Sequence, residues 1–113
     1  MNPADEAKPP AIDLRDNTVE DQFELYVDGK PAGLLTYTIE DGLYALHHEE
    51  IDEHFQGRGM GSQLVSHALD QIRASGHGVL PHCPFVQSYL QSHGEYLDLV
   101  PAGRRADFEL PTA

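Results

Sequence analysis

The chain has 113 residues, 40% of them hydrophobic, and a single cysteine, which predicts one soluble domain with its own core and no internal disulfide. Nineteen acidic residues against seven lysines and arginines give a formal net charge of -12, which argues against binding to nucleic acid or to an anionic membrane. The sequence has no apolar run of about 20 residues and no signal-peptide pattern, so a cytoplasmic location is expected.

Both ends of the chain are rich in proline and charged residues. Residues 1–17 and 101–113 are therefore expected to be flexible tails around a domain at residues 18–100. Alternating hydrophobic residues then predict three strands, which contain Phe23–Val27, Leu34–Ile39 and Leu43–Ile51. The turn sequences "DGKP" and "EDG" separate them, and turns this short connect antiparallel neighbours, so an antiparallel meander is predicted.

After the meander the hydrophobic period changes to that of a helix. From Gly61 onward one helical face is apolar, formed by Leu64, Val65, Ala68, Leu69 and Ile72. "GVLPHC" is then typical of a short buried strand at a sheet edge or bulge, and Pro84 suits the first turn of a second helix that ends near Gly94. "EYLDLVP" is compatible with a last strand or with a cover for the sheet. This order predicts an α+β fold, a mixed α/β layer of one sheet covered by helices.

The segment "QGRGMGS", residues 56–62, joins the third predicted strand to the first helix. A helix start favours an anion, and glycines let the anion approach the main chain, so a phosphate or pyrophosphate is the expected ligand. No lysine follows the glycines as a P-loop requires, and Gly57, Gly59 and Gly61 lack the last interval of the dinucleotide fingerprint. The structural alternative is a tight connection without a ligand.

Through Gln56, Gly59 and Gly61 the loop matches the pattern Gln/Arg-x-x-Gly-x-Gly/Ala, and it resembles the acyl-coenzyme A binding signature of the GCN5-related N-acetyltransferases. Residues 46–100 also resemble a minimal subfamily that has a His-x-Glu-Val-like strand, this loop and a later Pro-x-Cys-Pro-Phe segment, here "PHCPF". The resemblance implies an acetyltransferase-like fold, acetyl-coenzyme A as the cofactor and an amine as the acceptor.

The resemblance also implies where the cofactor lies. The strand that ends near Ile51 would splay from "GVLPHC", with the pantetheine arm in the gap and the pyrophosphate on the glycine loop. Arg58 would be a local cation. The cofactor-binding residues that the resemblance implies are Ile51, Gln56, Gly57, Arg58, Gly59, Met60, Gly61 and Ser62.

Candidate catalytic residues lie on both sides of that gap. His48 and Glu50 alternate on one strand and share a face; either could take the proton of the attacking amine, with Glu50 preferred, and a solvated strand face is the alternative. Cys83 lies at a helix start, where the dipole favours a thiolate. It either accepts the acetyl group as a thioester or remains an inert buried thiol. Tyr89 resembles the residue that protonates the departing thiolate in many family members, although it also lies on an apolar helix face.

The seven histidines do not predict a metal site. His47 and His48 are adjacent and are expected on opposite strand faces, and the other histidines have no paired ligand spacing.

Two functions remain open: an N-acetyltransferase, and a module that binds acyl-coenzyme A or coenzyme A without efficient transfer. Larger family members have one or two helices between their first strands, where this chain has only "DGKPA". The acceptor, a small-molecule or protein amine, therefore reaches an open groove, or a partner or second subunit completes the site. Both a monomer and a homodimer are compatible with the sequence.

Overall fold

The computed structural model describes residues 10–112. Within them the regular elements are, in chain order, β1 Ile12–Asn17, β2 Gln22–Val27, β3 Lys30–Glu40, β4 Leu43–Ile51, α1 Met60–Ala74, β5 Gly78–Pro81 and α2 Pro84–Ser92. Short 3-10 helices lie at Glu53–Phe55, Gly94–Leu99 and Ala102–Phe108. The strands form one sheet in chain order, antiparallel from β1 to β4 and parallel between β4 and β5. The predicted α+β fold, with a meander followed by a glycine loop, helix, strand and helix, is confirmed.

Tight turns connect the strands of the meander. Asp28 and Gly29 join β2 to β3 with φ angles of 51° and 80°, and Asp41 and Gly42 join β3 to β4 with φ angles of 51° and 79°. Two residues with positive φ form the turn that suits the twist of a hairpin, which explains the Asp-Gly pair in both places. In the described chain, short turns leave no helix between any of the first four strands.

Helix α1 supplies the crossover that a parallel pair of strands requires. The five residues of its predicted apolar face are fully buried against the sheet. Each of the four larger side chains contributes about 1.5–3 kcal/mol relative to an exposed position, so this face anchors the helix. Its first turn is thereby held beside the end of β4.

The domain extends beyond its expected bounds at both ends. Ile12–Asn17 pairs with β2 along its whole length, and Ile12 and Leu14 pack against the core. At the other end Phe108 and Leu110 are only 4% and 5% exposed. The expected flexible tails are therefore wrong for residues 12–17 and for the segment up to Leu110, because the proline-rich composition obscured a few well-placed apolar residues. Residues 1–9 and 113 lie outside the described part.

A β-bulge interrupts the pairing of β3 with β4. Thr36 lies opposite His48, whereas the next residue, Tyr37, lies opposite Leu46, so His47 is one extra residue on β4. An extra residue shifts the inward and outward alternation of every side chain beyond it. The bulge therefore decides which residues of "HHEEI" face the core.

Candidate functional site

Strands β4 and β5 diverge halfway along β4. Their pairing ends where Leu46 lies opposite Pro81, and the Cys83 N–H then donates to the Leu46 carbonyl at 2.8 Å. Beyond this point β4 continues to Ile51, while the chain after Pro81 turns into α2. In the described structure no strand covers the β4 edge from His47 onward, so this edge is open to an extended ligand.

The glycine loop lies at the end of this gap. The backbone conformation of the loop explains two of its glycines. Gly57 and Gly59 have φ angles of 76° and 75°, which side chains disfavour. A Cβ at either position would meet nothing within 4 Å, so the loop borders open space. Gly59 is the N-cap of α1 and makes no side-chain cap. The N–H groups of the first turn of α1 consequently have no intrahelical acceptor and are available to a ligand.

The third glycine, Gly61, is explained by close packing rather than by backbone conformation. A Cβ there would lie 2.8 Å from Glu49 Oε1 and 3.0 Å from Phe85 Cζ. The missing side chain makes room for the carboxyl and the ring against the helix start. Gly61 thus determines close packing, whereas Gly57 and Gly59 determine the course of the loop.

A groove of about 280 Å³ lies along this loop. Seven of the residues that the resemblance implied line it: Ile51, Gln56, Gly57, Gly59, Met60, Gly61 and Ser62. Gln56 Nε2 also donates to the Ile51 carbonyl at 3.2 Å and ties the loop to the end of β4. Arg58 lines a neighbouring groove instead, with its guanidinium 5.7 Å from the Phe55 ring centre. The structure also adds Glu49, Phe55 and Phe85 to the lining.

Glu49 is the ionisable residue in the groove that the sequence reasoning missed. Its Oε2 atom is buried and has no hydrogen-bond partner. Burial raises the pKa of this carboxyl from 4.5 to about 7, because the charged form loses hydration without gaining a partner. Glu49 turns inward because the bulge lies just before it. No signal in the sequence could have identified it. Each residue of "HHEE" is polar, and the bulge decides which of them faces inward.

His48 and Glu50 lie on the opposite face of the sheet. The His47 ring contacts Thr38 Oγ1 at 2.8 Å, and His48 lies opposite Thr36. Both histidines therefore share the face of these threonines, which corrects the expectation of opposite faces. His48 Nε2 lies 3.4 Å from Glu50 Oε1, and both side chains are 63% exposed.

An open groove of about 770 Å³ lies beside Glu50. Gln22, Glu24, Tyr26 and Leu34 line it together with Glu50, and it shares Glu49, Ile51 and Gln56 with the loop groove. The two grooves therefore meet at the end of β4. A ligand on the glycine loop and a second ligand on the open sheet face could reach each other there.

Cys83 and Tyr89 are the remaining predicted site residues. Cys83 is 4% exposed and precedes α2, which begins with Pro84. The Tyr89 ring stacks on His93 at 3.8 Å between ring centres. Neither residue is among those that line the two grooves at the end of β4.

Residues 10–112 contain neither a cluster of metal-binding side chains nor a membrane-spanning helix. In this range no three His, Cys, Asp or Glu residues lie close enough together to hold a metal ion. The His82 ring stacks on His47 at 5.3 Å and meets the Phe108 ring edge-on at 5.2 Å, so these histidines take part in packing. Neither helix in the described range is long and apolar enough to cross a membrane.

The mixed sheet, the diverging strands and the glycine loop at a helix start are consistent with an acetyltransferase-like fold. Comparison with protein families agrees: the model described as GCN5-related N-acetyl-transferase matches residues 22–99. This match covers well over half of the chain, and the chain belongs to this family. A search of curated proteins finds no match.

Proposed function

We propose that this protein is a minimal N-acetyltransferase that uses acetyl-coenzyme A and transfers the acetyl group to the amine of a small molecule or a protein. Family membership supports acyl transfer in general. The observation that carries the proposal is the meeting of two grooves at the end of β4, one along the glycine loop and one on the open sheet face. Such an arrangement suits two substrates that must approach each other.

The residues along the loop fit a coenzyme A molecule. The free amides of Met60, Gly61 and Ser62 suit the negative pyrophosphate, and the open space at Gly57 and Gly59 admits a bulky group to the main chain. The open β4 edge suits the amides of a pantetheine arm, and Ile51 and Phe85 offer apolar contact. When bound, the cofactor supplies an acetyl group activated as a thioester. Arg58 would be a cation near the outside of the loop.

Glu50 is the proposed general base, with His48 as its partner. An amine is protonated at neutral pH and must lose a proton before it attacks, either directly to a side chain or through water. Glu50 lines the larger groove and keeps most of its surface in solvent, so it can pass the proton on. The turns between the first four strands leave this face without a covering helix in the described structure, so the acceptor approaches over the open sheet.

Direct transfer to the amine is the route that we favour over a cysteine thioester. In the thioester route the Cys83 sulfur would form a bond to the acetyl carbon as the bond to the coenzyme A sulfur breaks, and the thiol proton would pass to the coenzyme A thiolate. The 4% exposure of Cys83 would have to increase for this step. Tyr89 is the proposed proton donor to the coenzyme A thiolate when the acetyl group leaves.

A second candidate function is a non-catalytic module that binds acyl-coenzyme A or coenzyme A. The uncovered acceptor face favours this alternative, because a module needs no shaped acceptor site. Incubation with acetyl-labelled coenzyme A and a panel of amines distinguishes the functions. Label on an amine supports the transferase, label on Cys83 when the amines are left out supports the thioester route, and saturable binding with neither supports the module. No binding at all would contradict both functions.

A further inference from the structure

Glu49 is the one ionisable residue among those that line the loop groove in the described structure. Its Oε1 atom lies only 2.8 Å from the point where a Cβ of Gly61 would be, which places it against the first turn of α1. Its Oε2 atom is buried without a hydrogen-bond partner. The carboxyl thus lies beside the amides that are proposed to hold the cofactor, and one of its oxygens has no partner in the protein.

The elements packed around Glu49 provide no cation in the described chain. The first two turns of α1 carry no charged residue, and α2 carries none, with Tyr89 as its titratable group. Arg58 and Lys30 line the neighbouring groove and are not among the residues of the loop groove. The other charged or titratable groups nearby lie on β4 itself, facing outward, or border the larger groove: His48, Glu50, Glu24, Tyr26 and Asp52. An ionised Glu49 would therefore have no lysine or arginine for a neighbour, and the nearby histidine, His48, lies beside Glu50 instead.

We propose that coenzyme A binds to the form of the protein in which Glu49 is protonated, so that cofactor binding takes up a proton at this carboxyl. This inference rests on the proposed coenzyme A site. An ionised carboxylate in the groove would repel the pyrophosphate and compete with it for the amides of the first turn of α1. A protonated carboxyl removes this repulsion and has an O–H group to donate to a cofactor oxygen.

The Glu49 carboxyl gains and loses this proton at pH values near neutral. Burial raises the pKa of Glu49 to about 7, so about a tenth of the molecules carry the proton at pH 8 and about nine-tenths at pH 6. The apparent dissociation constant is the intrinsic constant divided by the fraction in the competent form. Coenzyme A is therefore expected to bind about tenfold more weakly at pH 8 than at pH 6 on account of this group alone.

Titration calorimetry with coenzyme A tests the proposal. The proteins are the wild type, Glu49→Gln and the matched control Glu53→Gln, which removes the same charge from an exposed position outside the loop groove. The cofactor's own phosphate also titrates in this range, but it does so equally for all three proteins. The wild type and Glu53→Gln are expected to lose about tenfold more affinity between pH 6 and pH 8 than Glu49→Gln does. At pH 7, buffers of different ionisation enthalpy should show that the wild type takes up about half a proton more than Glu49→Gln.

A measurement on the wild type alone covers the case in which Glu49→Gln does not fold. The carboxyl carbon of Glu49 is followed by NMR across the same pH range, and its apparent pKa should rise when coenzyme A is added. An unchanged or lowered value would overturn the proposal. So would tight binding with the same pH dependence in the wild type and Glu49→Gln, and that result would leave the proposed function intact. Absence of coenzyme A binding by the folded wild type at both pH values would overturn the inference and the proposed function together.

Discussion

Replacement of Glu49 by glutamine is expected to stabilise the protein at pH 8, and to stabilise it only about a quarter as much at pH 5. The pKa of this carboxyl is about 7 in the folded protein, against an ordinary value of 4.5. Between these values the folded chain holds a proton that the unfolded chain has lost, so stability falls as the pH rises through this window. Above pH 7 the full cost of the buried charge is present. Glutamine has the same shape and no charge, so it removes this cost.

The size of the effect follows from the shift. A rise from 4.5 to about 7 corresponds to about 3 kcal/mol at 1.36 kcal/mol per unit. Because the groove is partly open to water, solvent screening reduces this to about 1–2 kcal/mol. For a domain of this size such a gain raises the melting temperature by roughly 5–10 °C.

Urea unfolding of the wild type, Glu49→Gln and Glu53→Gln at pH 5 and pH 8 measures the effect. The Glu53→Gln control corrects for the change in net charge, because it removes one exposed carboxylate without altering the groove. The slope of the unfolding free energy with urea should be the same for all three proteins, since the buried surface is unchanged. If Glu49→Gln at pH 8 is no more stable than Glu53→Gln, the carboxyl is not a buried charge and the reasoning is refuted.

Four further predictions concern the site and the domain ends. Gly61→Leu should weaken coenzyme A binding at least tenfold by calorimetry, because the new side chain meets Glu49 and Phe85. The control is Gly103→Leu, where a Cβ has nothing within 4 Å. Equal affinity of the two variants for coenzyme A would contradict the site. Glu50→Gln should lower kcat by about 10²- to 10⁴-fold with unchanged coenzyme A affinity; an unaltered kcat would exclude Glu50 as the base. In a steady-state assay, Cys83→Ala should keep a transfer rate within about tenfold of the wild type, whereas Tyr89→Phe, which keeps the ring, should lower kcat. The opposite pattern would favour the thioester route. Phe108→Ala should cost about 3 kcal/mol in urea unfolding, whereas a negligible loss would mean that this segment does not belong to the core.

Much of the fold could be predicted from local patterns. The apolar face of α1 follows from helical spacing, and all five of its predicted members are buried. The Asp-Gly pairs predicted the hairpins, because these residues suit the backbone angles of hairpin turns. The glycine loop at a helix start indicated an anion site, and the family resemblance derived from it and from "PHCPF" is confirmed by the match to residues 22–99. These features depend on near neighbours in the chain, so the sequence alone could determine them.

The tertiary structure decided which polar side chain lies inside the groove. In "HHEEI" every residue before Ile51 is polar, so alternation alone does not tell Glu49 from Glu50. The single extra residue at His47 reverses the phase, and its position depends on the pairing of β4 with β3. Partners far along the chain also decided that the core includes Ile12, Leu14, Phe108 and Leu110. Composition and spacing determined the elements and the position of the glycine loop, whereas register and long-range packing decided that the buried acid beside this loop is Glu49.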